Sequence, residues 1–308
     1  MLKMDYEALK SCTICPRRCK VDRTKGEKGV CKMGAQAVLS GAALHKWEEN
    51  CISGTNGSGA VFFTGCNMGC IFCQNSGIAA GEDGIAVTEE RLGEIFLELQ
   101  EEGAHNINLV TPTHFVPQIA QALKIAKDKG LAIPVVYNSS GYECAETLKM
   151  LEGYVDIYLP DFKYMDEKMA KEYSRASDYP QAAKKALAEM VRQTGPCVFE
   201  GGLIKKGTIV RHLVMPGQVR NSKSVIQYLY ETYGNDIYYS IMSQYTPMPH
   251  MQDHPLLGRT ITKREYHKVL DYALELGVEN GFMQDGKAAK DSFIPAFDGT
   301  GVIKKGDK

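Results

Sequence analysis

Six short runs of β-branched and other apolar residues recur along the chain, and an amphipathic segment follows each one. The runs are AVFFT (60–64), INLVT (107–111), PVVYN (134–138), VDIYLP (155–160), TIVRHLVM (208–215) and IYYSIM (237–242). Continuous apolar runs of this length suit strands buried on both faces. The intervening segments read as helices over 88–102, 115–129, 143–151, 180–193, 219–233 and 262–276. Thr88 can cap the first, Gly130 stops the second and Pro180 opens the fourth. Strand alternating with helix implies parallel strands joined by crossovers. Six units are too few to close an eight-stranded barrel. The expected fold class is therefore α/β, as a partial (β/α)6 barrel of the TIM-like kind or a doubly wound sheet. In both, the loops after the strand C-termini carry the chemistry.

Those ends are unusually polar. They read GCNMGCIFCQN (65–75), TPTH (111–114), NSSGY (138–142), PDFKY (160–164), RHLVMPGQ (211–218) and SQYTPMPH (243–250). Loops are commonly polar, so it is their convergence on one mouth, next to a cysteine triplet, that marks a site. Residues 1–58 read differently: irregular, rich in Cys, Gly, Lys and Arg, with the turn-forming ISGTNGSG at 52–59. The expected division is a cysteine-rich metal-binding segment over 1–58 and a barrel over 59–308.

The chain has ten cysteines in 308 residues. No stretch approaches the roughly 20 apolar residues of a membrane span, and the N-terminus has no apolar signal core, so the expected location is cytoplasmic. Disulfides are disfavoured there, and clustered cysteines point to metal or redox chemistry. Cys51, Cys144 and Cys197 stand alone and read as small buried apolar residues. A net charge of −1 gives no footprint for nucleic acid, and neither a nucleic-acid nor a membrane partner is expected.

Cys66, Cys70 and Cys73 are spaced C-x3-C-x2-C on the first strand end. Thiolates bind zinc and iron–sulfur clusters. A four-iron cubane with three protein ligands leaves one iron open to a substrate or cofactor. Zinc with a distant fourth ligand is the alternative that spacing alone leaves open. The motif CNMGCIFC (66–73), with the aromatic Phe72 before its last cysteine, resembles the cluster motif of the radical SAM superfamily. Longer stretches, EENCISGTNGSGAVFFTGCNMGCIFCQN (48–75), LVTPTH (109–114) and DFKY (161–164), resemble the pyruvate formate-lyase activating enzyme (PflX-type) branch. That similarity covers most of the chain.

The resemblance implies a [4Fe-4S] cluster on Cys66, Cys70 and Cys73, with its open iron chelated by S-adenosylmethionine. It implies an oxidoreductase that cleaves this cofactor reductively to a 5′-deoxyadenosyl radical, which abstracts hydrogen from a substrate. The glycine backbone of a partner enzyme is one such substrate; a small molecule or a peptide is the alternative. Thr111 and Thr113 stand where many relatives carry Gly-Gly-Glu-Pro against the cofactor's amino group; hydroxyls and free carbonyls can accept from an ammonium. Asn138 and Ser140 match the region near the ribose or carboxylate, and Gln244 and Tyr245 the region near adenine or substrate. Asp161 and Lys163 resemble an Asp-x-Lys stretch of activating enzymes, and both face one side of an extended segment. Arg211, on the fifth strand, can meet a carboxylate bidentately. The low potential required implies flavodoxin or ferredoxin as electron donor.

Cys12, Cys15, Cys19 and Cys31 are spaced C-x2-C-x3-C-x11-C. Four thiolates within twenty residues can close a tetrahedral zinc site, which would staple a segment too polar to build a core. The spacing is not the bacterial ferredoxin pattern. Zinc is the first expectation and a second iron–sulfur cluster the alternative. A reading of another class also stands: a non-catalytic electron carrier or binding module with fully ligated metal.

Overall fold

The computed structural model describes residues 6–283, 295 and 297–304. Among the described residues ten strands follow one another: β1 (Ala37–His45), β2 (Ser58–Phe63), β3 (Ile85–Val87), β4 (Ile107–Val110), β5 (Val135–Ser139), β6 (Ile157–Pro160), β7 (Val198–Glu200), β8 (Leu203–Leu213), β9 (Tyr238–Met242) and β10 (Gly281–Met283). They form one sheet in the order β10-β9-β8-β6-β5-β4-β2-β1-β3, with β7 folded as a hairpin on β8.

All six expected strands form, each within a few residues of its expected bounds, except that β8 starts five residues early. They pair in parallel from β2 to β9, and β10 adds a seventh parallel strand. The sheet stays open, because β1 and β3 cap the β2 edge antiparallel. Residues 37–45 were expected to be irregular; they are instead the longest strand at that edge. Residues 299 and 300 lie along β1, where the Thr300 carbonyl accepts from the Ala42 amide and the Gly299 amide donates to the Ser40 carbonyl.

The helices take the places their periodicity indicates. Glu89–Glu101 is capped by Thr88, whose hydroxyl accepts from the Arg91 amide. Lys263–Leu276 starts with a reciprocal capping box between Thr262 and Glu265. The expected helix at 143–151 is shorter, a single turn at Ala145–Leu148 followed by a 3-10 turn. An unexpected helix, Glu167–Ser174, starts on the Asp166 cap.

Strand alternation sends Val61, Phe63, Leu109, Val135 and Tyr137 outward under the helices Glu89–Glu101 and Val116–Asp128. The opposite face is turned inward. Its far end is plugged by Cys51 and Ile52, packed on Val136, Ile157, Leu159 and Ile209. Burial of such side chains contributes ~1.5–3 kcal/mol each. The plug leaves the strand C-termini as the accessible end. No helix among the described residues is long and apolar enough to cross a membrane.

Candidate active site at the open end of the sheet

The loop after β2 carries Cys66, Cys70 and Cys73, and the neighbouring chain holds it from several sides. Gly65 (φ +85°) turns the backbone out of the strand; a side chain there would sit 2.6 Å from the Cys31 carbonyl oxygen. The two cysteine groups thus touch through backbone. Asn67 donates to the Tyr142 carbonyl (2.8 Å), the Ile71 amide donates to Tyr173 (2.9 Å), and His250 donates to the Ile71 carbonyl (2.6 Å). Arg17, between Cys15 and Cys19, donates to the carbonyls of Asn67 (2.7 Å), Met68 (2.8 Å), Ser174 (2.9 Å) and Arg175, and lies over the Tyr142 ring. One guanidinium therefore ties the N-terminal cysteine loop to the second one. It is a polar anchor that its position in a run of basic residues did not reveal.

A cavity of ≈ 320 Å³ opens beside the loop, and all three thiols line it. Phe72, Thr111, Asn138, Ser140, Asp161, Lys163 and Arg211 line the same cavity. Thr111 sits at φ +59°, unusual for a β-branched residue, and its amide donates to Asn138 across the strand ends. Three expected residues are placed elsewhere. Thr113 is buried behind the wall, where its hydroxyl donates to Glu143 (2.7 Å). Tyr245 is buried too, donating to the Leu257 carbonyl (2.7 Å), and meets the site only as a ring 6.2 Å from Phe72. Gln244 turns back to the Met242 sulfur (3.7 Å). The left-handed turn at Thr111 redirects the chain, so residues two apart do not share a face there.

Charges in the cavity are paired. Lys163 donates to Asp161 at 2.5 Å. Desolvation pulls the Lys163 ammonium down, but Asp161, Cys70 and Tyr179 outweigh it and hold the group protonated. Arg211 does bind a carboxylate through two nitrogens, but that carboxylate belongs to Glu49, and Glu48 takes the guanidinium as well. Ser240 donates to Glu49 (2.7 Å) and Asn108 to Glu48 (2.9 Å). Desolvation works against ionised Glu49, and Arg211 overcomes it, so Glu49 is held below the usual carboxylate range. Arg211 therefore has no free fork for a substrate carboxylate. Glu48, Glu49 and His45 were not expected at the site: an acidic pair beside a lone histidine reads as surface until its partners, more than 160 residues away, are known.

The donor set fits an iron–sulfur group. Burial, with Cys70 and Cys66 adding to it, pushes the Cys73 thiol up to about 12; burial raises Cys66 likewise. Such thiols stay protonated unless a metal takes them as thiolates. The two cavity carboxylates, Glu48 and Asp161, are already held by Arg211 and Lys163, so neither competes for a fourth corner. The Ser140 hydroxyl lines the cavity, buried and without a hydrogen-bond partner; a polar cofactor would satisfy it.

Cys12, Cys15 and Cys31 are buried and near one another: burial, together with Cys31 and Cys12, takes the Cys15 thiol up to about 12. Yet among the described residues no group of three or more His, Cys, Asp or Glu side chains converges as a site for a single metal ion. Zinc needs its thiolates ~2.3 Å from one point. Cys66, Cys70 and Cys73 are no closer to that form, so zinc and a second cluster both stand at the N-terminal cysteines.

Glu143, behind the cavity wall, is fully enclosed, and burial raises its pKa to about 7 against the hydrogen bonds from Thr113, Ser139 and Tyr137. A folded-state pKa above the unfolded one favours the fold below pH 4.5, and the benefit is lost as pH rises through 7. The loss is about 3 kcal/mol. Glu143→Gln should therefore stabilise the chain by up to that amount above pH 7 and flatten its urea stability between pH 5 and 8. An unchanged pH slope would show that Glu143 is not the titrating group.

Comparison with known proteins adds the following. Residues 60–229 match the family model of the Radical SAM superfamily. An uncharacterized protein of Methanocaldococcus jannaschii is 28% identical over 275 residues, covering 86% of this chain and 74% of that one. The structure of Streptococcus suis SuiB bound to S-adenosylmethionine is similar over 72% of this chain, with a TM-score of 0.51 and 13% identity. This chain spans 49% of that neighbour's length. A radical SAM methyltransferase from Sphaerobacter thermophilus is similar over 74% of this chain and 66% of its own, with a TM-score of 0.51 and 12% identity. At such identities the likeness concerns the fold.

Proposed function

We propose, from the premise that this chain belongs to the radical SAM superfamily, that its cavity holds a [4Fe-4S] cluster on Cys66, Cys70 and Cys73 and binds S-adenosylmethionine for reductive cleavage. The observation that carries this reading is that three half-buried thiols line one cavity whose carboxylates are already paired. Bound there, a reduced cluster supplies the electron that splits the sulfonium into methionine and a hydrogen-abstracting 5′-deoxyadenosyl radical.

The chain's own residues bind, orient and exclude water. Phe72, backed by Tyr245, walls the cysteine loop from solvent. Ser140 and Asn138 offer hydroxyl and amide groups to the polar parts of the cofactor, and Thr111 offers its backbone and hydroxyl at the strand end. Lys163, charged and neutralised by Asp161, favours the thiolates of Cys66 and Cys73. Arg211 keeps Glu49 ionised and ties Glu48 to the cavity wall.

The finer reading is an activating enzyme that takes hydrogen from the glycine backbone of a partner enzyme, with flavodoxin or ferredoxin as donor. The Asp161–Lys163 stretch supports it by resemblance. Cys12, Cys15, Cys19 and Cys31 are then ligands of a structural zinc or of a second iron–sulfur cluster. The test is anaerobic reconstitution, dithionite reduction and measurement of methionine and 5′-deoxyadenosine. Deuterium should move from a glycine-labelled partner into 5′-deoxyadenosine. Cleavage without that transfer would move the substrate to a small molecule or peptide; no cleavage at all would leave the carrier reading.

A further inference from the structure

Cys70 has a hydrogen-bond partner that the mechanism above does not use. Ser174, the last residue of the helix Glu167–Ser174, donates from its hydroxyl to the Cys70 sulfur at 3.0 Å. The Tyr164 hydroxyl lies 2.7 Å from the same Ser174 oxygen. Both side chains are fully buried. A serine hydroxyl carries one proton, and a thiolate can only accept. With Cys70 ionised the order is therefore fixed: Tyr164 donates to Ser174, and Ser174 donates to Cys70.

The backbone around Ser174 is pinned as firmly. The Ile71 amide donates to the Tyr173 carbonyl at 2.9 Å, and Arg17 takes the Ser174 carbonyl. Arg175 closes the helix in the left-handed region, at φ +51°. The hydroxyl therefore has little freedom to leave the sulfur. Hydrogen bonds to the sulfurs of a cluster stabilise its more negative, reduced state, and so raise its reduction potential. A second donor polarising the first strengthens the effect.

We propose that Ser174 is a positioning residue that acts through Cys70 to raise the potential of the cluster, with Tyr164 orienting its proton. The proposal rests on the reading of Cys66, Cys70 and Cys73 as cluster ligands. It adds a control on how readily the cluster accepts its electron, set from a helix outside the cysteine motif.

The experiment is a potentiometric EPR titration of the reconstituted protein, with iron and sulfide counted first for every variant. To isolate one signal, it is run in a background with the four N-terminal cysteines replaced by serine. Ser174→Ala should keep its three-thiolate cluster but shift it to a more negative potential. At a fixed solution potential its reduced-to-oxidised ratio should fall about three- to tenfold, where tenfold corresponds to 59 mV for one electron. Tyr164→Phe should shift in the same direction by less, and Ser174→Thr, which keeps the hydroxyl, should return towards the parent. An unchanged potential in Ser174→Ala with the cluster intact overturns the proposal. If Ser174→Ala loses its cluster, Tyr164→Phe decides, and no shift there overturns it equally. A parent chain that assembles no cubane overturns the function itself, and is recognised by iron count before any titration.

Discussion

Anaerobically reconstituted Cys70→Ala is expected to lose reductive cleavage of S-adenosylmethionine to the level of the metal-free chain. Cys70 contributes one of only three cysteine sulfurs on the cavity, and it is the one whose surroundings are most committed, with Ser174 on its sulfur and Lys163 responding to its charge. Loss of an outer partner of a metal ligand typically costs ~10- to 100-fold in affinity or activity; loss of the ligand itself should exceed the upper figure. Two thiolates cannot hold the cage against solvent. Cys197→Ala is the control: that thiol packs at the edge of the apolar plug, donating to the Thr208 carbonyl, away from the cavity. Full cleavage activity in Cys70→Ala, or equal loss in Cys197→Ala, would place the chemistry elsewhere.

The second large effect is on stability. Arg211→Met should destabilise the chain by about 3–5 kcal/mol near neutral pH, because it strands two buried carboxylates without their cation. Glu48 and Glu49 would keep the neutral donors Asn108, Asn138 and Ser240. The pH dependence has a definite sign. In the parent, Glu49 has a depressed pKa, so its contribution is present above the ordinary carboxylate value and is lost as pH falls. In Arg211→Met the preference reverses at Glu49: desolvation makes its carboxyl favour the proton, and the deficit against the parent shrinks on acidification. Replacing all three groups, as Arg211→Met with Glu48→Gln and Glu49→Gln, should recover much of the loss, because no buried charge remains. Urea unfolding at pH 5 and 8 checks both statements. A single Arg211→Met variant as stable as the parent would mean that the network is hydrated and of little worth.

What the chain disclosed, and what it hid, follow from the range of the interactions. The parallel strands were legible because β2, β4, β5 and β6 are continuous apolar runs between recognisable caps. β1 was not. Its sequence AVLSGAALH is rich in small residues, and its place at the sheet edge depends on pairing with β2 and β3 rather than on local preference. The cysteine triplet was legible because its spacing is local. Arg17, Glu48, Glu49 and Ser174 were not, since their roles lie in partners 50 to 163 residues away. Thr113 was misplaced for a conformational reason: the positive φ of Thr111 turns the chain, and the Thr113 hydroxyl goes to Glu143 behind the wall.

The central claim is that three thiolates hold a cage with one iron left open for the cofactor. Mössbauer spectroscopy of iron-57 protein lacking the four N-terminal cysteines, with and without S-adenosylmethionine, tests it directly. The account predicts one [4Fe-4S] cluster in which a single iron changes its signal when the cofactor is added, as its coordination rises. A cluster whose four irons are indifferent to S-adenosylmethionine, or a chain that binds no cluster at these cysteines, would contradict it.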